Sequence, residues 1–253
     1  MARRNAAMQP DTRIPAVPAN RAEILTSALD GLSGAERLAA ALAHPLTGRT
    51  AMVSSFGADS VVLLHLLSLV APATPVLFID TQMLFPETLD YQRDVAQALG
   101  LTGIRVIRAR AMHLAQRDPA NALHLSDPDA CCDLRKTEPL ARALAPFDGW
   151  ISGRKRFQSG TRARLPLVEE DAGKLKINPM ADWTGEEIAD YIATHDLPRH
   201  PLVAKGYPSI GCAPCTSPVA EGEDPRAGRW RGRDKVECGI HFVDGRMVRG
   251  AAA

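Results

Sequence analysis

The chain carries five cysteines, and their spacing sorts them into three groups. Cys131 and Cys132 are adjacent, Cys212 and Cys215 enclose Ala213-Pro214, and Cys238 stands alone in Glu237-Cys238-Gly239-Ile240-His241. Two pairs can supply four thiolates to a metal centre, which leaves the fifth thiol for chemistry. Successive side chains on a helix diverge by about 100°, so a tandem pair suits one tetrahedral ion poorly. The separate corners of an iron–sulfur cube are easier for such a pair to reach. A vicinal disulfide or two buried apolar thiols are the rival readings of Cys131-Cys132. A nucleophilic Cys238 must be a thiolate, and Arg233, Lys235 and His241 are neighbours in sequence able to depress its pKa. The plain alternative is a spare thiol near a frayed C-terminus.

Five other stretches suit ligand binding, most of them the binding of an anion. Ser54-Ser55-Phe56-Gly57-Ala58-Asp59-Ser60 joins a strand to a helix, where backbone N–H groups and the positive helix end attract a phosphate. Ser54, Ser55 and Ser60 add hydroxyl donors, and Gly57 allows close backbone approach; an ordinary turn capped by Asp59 or Ser60 is the rival. Asp80 and Thr81 follow the next strand, at the edge where parallel sheets bind ligands, but either could instead cap the following helix. Lys136, beside Arg135, comes just after the tandem cysteines and reads as a cation for a nearby anion or as a solvated helix charge. Arg154, Lys155, Arg156 and Arg162 form a basic run suited to phosphate or sulfate oxygens, as do Arg226 and Arg229; solvated surface charge is the rival in both places. Of the histidines, only His241 falls in a cysteine motif; His44, His65, His113, His124, His195 and His200 read as structural or solvated.

The elements that position these residues follow from periodicity. Asn20 with Glu23, and Ser33 with Glu36, predict capping boxes opening two short helices that run to about residue 44. Short β-prone runs at 50–54, 75–79, 104–108 and 149–152 then alternate with helical stretches at 59–70 and 87–99. A further strand is expected at 175–177, and a helix from Thr184, capped with Glu187, to His195. Strands alternating with helices predict an α/β fold with a doubly wound, mostly parallel sheet. Residues 1–19 read as a flexible tail, 20–216 as the α/β domain and 217–253 as a mobile C-terminal tail carrying Cys238, since 221–235 is charge-rich and almost free of apolar residues.

Thirty basic against twenty-nine acidic residues give no overall charge that favours nucleic acid or membrane. The most apolar run, 61–70, is interrupted by His65 and Ser68 and is too short to span a bilayer. No apolar core follows the charged N-terminal residues, so a secretory signal is not expected and a cytoplasmic location is. Reduced cysteines suited to metal ligation and catalysis fit that compartment.

Taken in order, these motifs resemble a known family. Ser54–Ser60 resembles the PP-loop of the adenine-nucleotide hydrolase superfamily, Ser-Gly-Gly-x-Asp-Ser, with Phe56 at the first glycine as in sulfonucleotide reductases. Asp80-Thr81 with Leu84-Phe85-Pro86-Glu87-Thr88 resembles those reductases' Asp-Thr-Gly-x-x-Phe-Pro-Glu-Thr signature, with Gln82 where glycine is usual. Ser152–Arg162 resembles their Gly-x-Arg and Gln-Ser-x-x-Arg loop, and Gly206–Thr216 their second cysteine segment. Gly222–Trp230 and Glu237–His241 resemble their tail patterns. The tandem cysteines plus Cys-x-x-Cys are similar to the assimilatory adenylylsulfate (APS) reductases, which carry a 4Fe–4S cluster.

The resemblance, spanning about residues 50–241, implies a PP-loop-type sheet, cluster ligands Cys131, Cys132, Cys212 and Cys215, and Cys238 as the nucleophile. It implies contacts to APS, and to the product AMP, from Ser54, Ser55, Phe56, Gly57, Ser60, Asp80, Thr81, Lys136, Arg154, Arg156, Arg162, Arg226, Arg229 and His241. Thioredoxin or a glutathione-dependent reductant is the implied partner, and a homo-oligomer is an allowed assembly. The alternatives are reduction of the 3′-phosphorylated substrate (PAPS), a PP-loop sulfur transferase or ATP pyrophosphatase acting on RNA, and a non-catalytic metal-binding module.

Overall fold

A computed structural model describes residues 20–171, 173–233 and 235, with the backbone of two paired two-residue strands, Phe242–Val243 and Arg246–Met247. The expected tail 1–19, Cys238 and His241 lie outside the described residues. Helix α1 (Arg21–Leu29) opens with the expected box: Asn20 accepts the Glu23 N–H at 2.8 Å, and Glu23 accepts the Asn20 N–H at 3.1 Å. The box expected at Ser33, before α2 (Gly34–Ala43), does not form. There the Glu36 N–H goes to the Ser33 carbonyl oxygen at 3.1 Å, so the hydroxyl has no cap to make.

From residue 50 strands and helices alternate: β1 (Thr50–Ser54), α3 (Ser60–Val70), β2 (Val76–Ile79), α4 (Pro86–Ala98) and β3 (Ile104–Ile107). Three short helices follow, α5 (Ala111–Arg117), α6 (Leu123–Ser126) and α7 (Pro128–Cys132). A wider π-helical turn, Asp133–Thr137, then leads into α8 (Glu138–Leu144). After β4 (Gly149–Ser152) come β5 (Val168–Asp171), β6 (Lys174–Ile177) and α9 (Gly185–Thr194), whose Thr184–Glu187 box forms as expected.

The six strands order as β3-β2-β1-β4-β6-β5, parallel throughout except β5, which runs antiparallel to β6. The β5 strand escapes sequence reading because Glu169-Glu170-Asp171 has neither alternation nor β-propensity. At a sheet edge, such a charged strand resists pairing with another chain.

Alternation along β1 sends Met52 to one face of the sheet and Ala51 to the other. Met52 joins Phe78, Ile151, Ile177 and the fully buried Val61, Val62, Leu64 and Leu67 of α3. Ala51 joins Leu77, Trp150 and the α8 residues Leu140 and Leu144. Both faces are therefore covered, as a parallel sheet requires. No described helix is long and apolar enough to cross a membrane. Succession runs outward in opposite directions from the β1–β4 pair, and a crevice opens outside the strand ends at such a switch point.

The segment after residue 216, expected to be a mobile tail, carries specific contacts as far as Lys235. Thr216 bridges Arg229, the Ser217 N–H donates to Gly228 O at 2.9 Å, and Arg231 holds Glu223 at 2.6 Å. Arg233 donates to His124 O, and the Lys235 ammonium pairs with Asp129 of α7.

The seam between β4 and β6 leaves no room for a side chain at Gly149, where a Cβ would stand 2.6 Å from the Leu175 carbonyl oxygen. Gly149→Ala is expected to lower stability by about 1–3 kcal/mol in urea denaturation. Gly160→Ala, with nothing within 4 Å of its Cβ position, serves as the control and should leave the midpoint almost unchanged.

Candidate active site

The loop between β1 and α3 is built around a buried ring. Phe56 takes a left-handed φ of 50°, a conformation that ordinarily selects glycine. Its ring is fully buried, edge-on to Phe78 at 5.2 Å, and its N–H donates to Ser54 Oγ at 3.2 Å. Burial of the ring offsets a backbone cost of about 1–2 kcal/mol. Phe56 thus lies beneath the loop, whereas Ser54, Ser55, Gly57 and Ser60 line a cleft of about 290 Å³ at the strand ends.

Gln82 shows the same compromise after β2, with φ 59°. Its N–H donates to Asp80 Oδ1 at 2.8 Å, an Asx turn that secures the left-handed residue. The other Asp80 oxygen accepts from Arg108 at 2.8 Å, so this carboxylate braces the loop and does not line the cleft. Thr81 does line it.

Two segments bring Cys131, Cys212 and Cys215 together, with Cys132 adjacent to Cys131 in the chain. Cys131 and Cys132 end α7, and Cys212 and Cys215 sit in a loop whose Cys212 bridges Leu84 and whose Ala213 N–H donates to Met83 O at 2.8 Å. Cys131, Cys212 and Met83 form one small buried apolar cluster, with Cys215 packed against it. All four are free thiols, which removes the vicinal disulfide. Thr81 Oγ1 lies 3.2 Å from Cys212 Sγ, and Cys212 itself borders the cleft.

Burial pushes the Cys131 thiol up to about 11, Arg135 pulls it down, and Cys212 and Cys215 push it up again. Cys215 is raised by burial and Cys212 and lowered by Lys136, Arg233 and Arg229. Among the described residues, no three His, Cys, Asp or Glu side chains close on a single metal-ion position. The donor set is soft sulfur from two segments, with Cys131, Cys212 and Cys215 in one cluster and Cys132 next in the chain to Cys131. That chemistry fits an iron–sulfur group and not a hard oxygen-seeking ion.

Of the expected cations, Lys136, Arg154, Arg162, Arg226 and Arg229 line the cleft. Arg229 lies so close to Gly211 that a Cβ there would meet its guanidinium at 2.3 Å. Arg156 is not brought to the cleft; it donates through Nε to Leu165 O at 2.9 Å and braces the basic loop. Lys155 reaches the cleft wall already paired, 3.1 Å from Asp59. Lys235 and Arg233, read as cations for Cys238, are held by Asp129 and the His124 carbonyl.

Lys176, Ser152 and Thr88 line the cleft without having been singled out from sequence. A lysine between Leu175 and Ile177 in a short strand must face one side of the sheet interior, and that signal was available. Its ammonium is 3.4 Å from Glu169, which also pairs with Arg154, and 5.5 Å from the Trp150 ring. Ser152 donates to Asn178 Oδ1 at 2.5 Å.

Comparison with known proteins adds the following. Residues 49–218 match the phosphoadenosine phosphosulfate reductase domain. An adenosine 5′-phosphosulfate reductase of Mesorhizobium japonicum is 53% identical over 207 residues, covering 82% of this chain and 80% of the relative. A phosphoadenosine 5′-phosphosulfate reductase of Gloeobacter violaceus is 44% identical over 196 residues, covering 75% of this chain and 81% of the relative. Among solved structures, the phosphoadenylyl-sulfate reductase of Candida auris in its phosphate complex superposes with a TM-score of 0.66 at 28% identity, covering 80% of this chain and 99% of that one.

Lys176 provides a test of the site's electrostatics. Burial, then Arg154, lower its pKa from 10.5 to about 8 against the opposing pull of Glu169. Between those two values the unfolded chain holds a proton that the folded chain has released, so this group's contribution to stability rises with pH. The wild-type stability minus that of Lys176→Met is expected to climb from about pH 8 toward pH 10.5 in urea titrations. A flat difference would mean that the buried ammonium keeps its proton.

Proposed function

The chain belongs to the phosphoadenosine phosphosulfate reductase family, and from that premise we propose that it reduces APS to sulfite and AMP in assimilatory sulfate reduction. One observation carries the reading: a single cleft is walled by the 54–60 loop, by Lys136, Arg226 and Arg229, and by Cys212 of the thiol cluster. A nucleotide with an anionic tail fits such a cleft, its tail meeting arginine forks and hydroxyl donors beside sulfur.

The chemistry balances with thiols alone. The Cys238 thiolate attacks the APS sulfur, the bridging S–O bond breaks, and AMP leaves with the electron pair, so the enzyme holds an S-sulfocysteine. A thiolate of the reductant then attacks Cys238 Sγ, and sulfite departs with the S–S bonding pair. The reductant's second thiol frees Cys238 and closes a disulfide, completing a two-electron oxidation of the reductant. Lys136, Arg162, Arg226 and Arg229 would hold the phosphosulfate and stabilise the charge growing on the departing phosphate.

Cys131, Cys132, Cys212 and Cys215 would hold a 4Fe–4S cluster, which when bound supplies a fixed charge distribution beside the cleft and braces its wall. With those four thiols committed, Cys238 has no resolving partner among the chain's five cysteines. The electrons must come from outside, from thioredoxin or a glutathione-dependent partner in the cytoplasm. His241, in the same motif as Cys238, would be a further contact to the substrate.

The Gloeobacter relative's name favours a second reading, activity on PAPS, which differs by one phosphate. The deciding experiment mixes anaerobic protein with APS, and separately with PAPS, without external thiol, and maps the adduct by mass spectrometry. Sulfonate on Cys238 from APS, absent from Cys238→Ser, is the expected result. Adduct from PAPS alone would transfer the assignment to that substrate, and no adduct from iron-loaded protein would overturn the mechanism.

A further inference from the structure

His200 and Thr88 form a pair whose hydrogen bonding can be assigned atom by atom. His200, 1% exposed, packs its ring against Tyr91 at 4.7 Å. Its Nδ1 accepts the Leu202 N–H at 3.2 Å, which requires a lone pair on that nitrogen. A neutral imidazole carries one N–H, so the proton sits on Nε2. Burial pushes the His200 pKa down to about 4, with Glu87, itself bonded to Lys205, opposing weakly. The same tautomer therefore persists through the neutral range.

Nε2 lies 3.0 Å from Thr88 Oγ1. With the proton on Nε2 the hydroxyl is the acceptor, and its own proton must point elsewhere. Threonine hydroxyls in helices usually bond a carbonyl of the preceding turn. Thr88 makes no such bond, and His200 is its hydroxyl's one polar partner among the described residues. Thr88 is 1% exposed and lines the cleft that holds the 54–60 loop and the cations Lys136, Arg226 and Arg229. It also occupies the first turn of α4, where the helix end favours negative charge. A buried hydroxyl with a proton left to place, on a residue that lines such a cleft, matches a group that can only accept.

We propose that Thr88 is a substrate-binding residue whose hydroxyl donates to an anionic oxygen of the bound phosphosulfate, and that His200 is the positioning residue that imposes that direction. The proposal rests on the reductase reading and adds to it a contact that the basic residues do not supply. A cation is attracted to any nearby oxygen, whereas this hydroxyl can serve only an acceptor in its own line.

The test measures the rate of Cys238 adduct formation from APS, together with AMP affinity, in folded Thr88→Val, Thr88→Ser and His200→Leu proteins. Thr88→Val is expected to slow the adduct about 10- to 100-fold, the range for a hydrogen bond to a charged group, while Thr88→Ser stays within about threefold of wild type. His200→Leu should slow it less, and should add nothing further in the Thr88→Val background, because it acts through that hydroxyl. Packing damage alone would instead add to the Thr88→Val effect. Weaker AMP binding by Thr88→Val would place the contact on the phosphate; unchanged AMP binding with a slowed adduct would place it on the sulfate.

Adduct formation by Thr88→Val at the wild-type rate overturns the proposal. If wild-type protein itself forms no adduct, the reductase reading fails separately. Titration of AMP and inorganic sulfate into wild type and Thr88→Val then still decides whether this hydroxyl binds an anion, with equal affinities rejecting it.

Discussion

Thr81, at the end of β2, is the residue through which the two halves of the site are joined. Its carbonyl oxygen accepts Arg135 at 3.0 Å, and its hydroxyl accepts the Met83 N–H and touches Cys212 Sγ, both at 3.2 Å. Arg135 belongs to the π-helical turn that follows the tandem cysteines, and Cys212 belongs to the other pair. One buried threonine therefore ties both cysteine segments to the wall of the cleft.

Such an arrangement is tolerated because both terminal nitrogens of Arg135 are bonded, while its buried Nε has no partner among the described residues. A guanidinium 3% exposed would be costly unless its donors were matched. Besides Thr81, it bonds Asp118 at 2.7 Å and Asn121 at 2.6 Å. Burial alone would raise the Asp118 carboxyl, but Arg135 and the N–H groups of Leu123 and Ala122 outweigh it and keep its pKa below the ordinary value. The same carboxylate thus anchors the arginine and orders the start of α6, the stretch leading to α7 and its cysteines. The wide turn at Asp133–Thr137 places Arg135 toward β2, an insertion of a kind common at functional sites.

Much of this was legible in the sequence because it depends on local pattern. Alternating periodicity located β1, β2, β3, β4 and β6, and residue chemistry marked both cysteine pairs, the serine loop and the cleft-lining arginines. What stayed hidden depends on partners far along the chain. Asp80 reads as a ligand-binding carboxylate until Arg108 and the Gln82 N–H are seen to occupy it. Arg156 and Arg162 look alike in a basic run, but only the local fold turns Arg156 toward Leu165 O and brings Arg162 to the cleft. The charged stretch after residue 220 reads as a mobile tail because its stability comes from ion pairs and one buried tryptophan, not from an apolar stripe. Trp230, 3% exposed at a left-handed φ of 51°, lies between Arg229 at 4.5 Å and Lys235 at 5.7 Å, and its N–H holds Cys215 O at 3.0 Å.

Phe56, Gln82 and Trp230, three of the five non-glycine residues at positive φ among the described residues, border the site, and each has a distinct compensation. Phe56 buries a ring against Phe78, Gln82 is held by an Asx turn, and Trp230 is flanked by two cations. Two of them stand where the motifs they resemble carry glycine, and both take the left-handed φ that glycine would favour. At Phe56 the cost of that conformation is offset by ring burial, and at Gln82 by a side-chain hydrogen bond. Glycine at those turns would give the same conformation with more freedom in the unfolded chain and less restraint in the folded one. The Phe56 ring makes its loop's conformation contingent on the core. The 54–60 loop is thereby fixed through Phe56 to Phe78 of β2, the strand that leads into the turn touching sulfur, so disturbance of Phe78 should reach the loop.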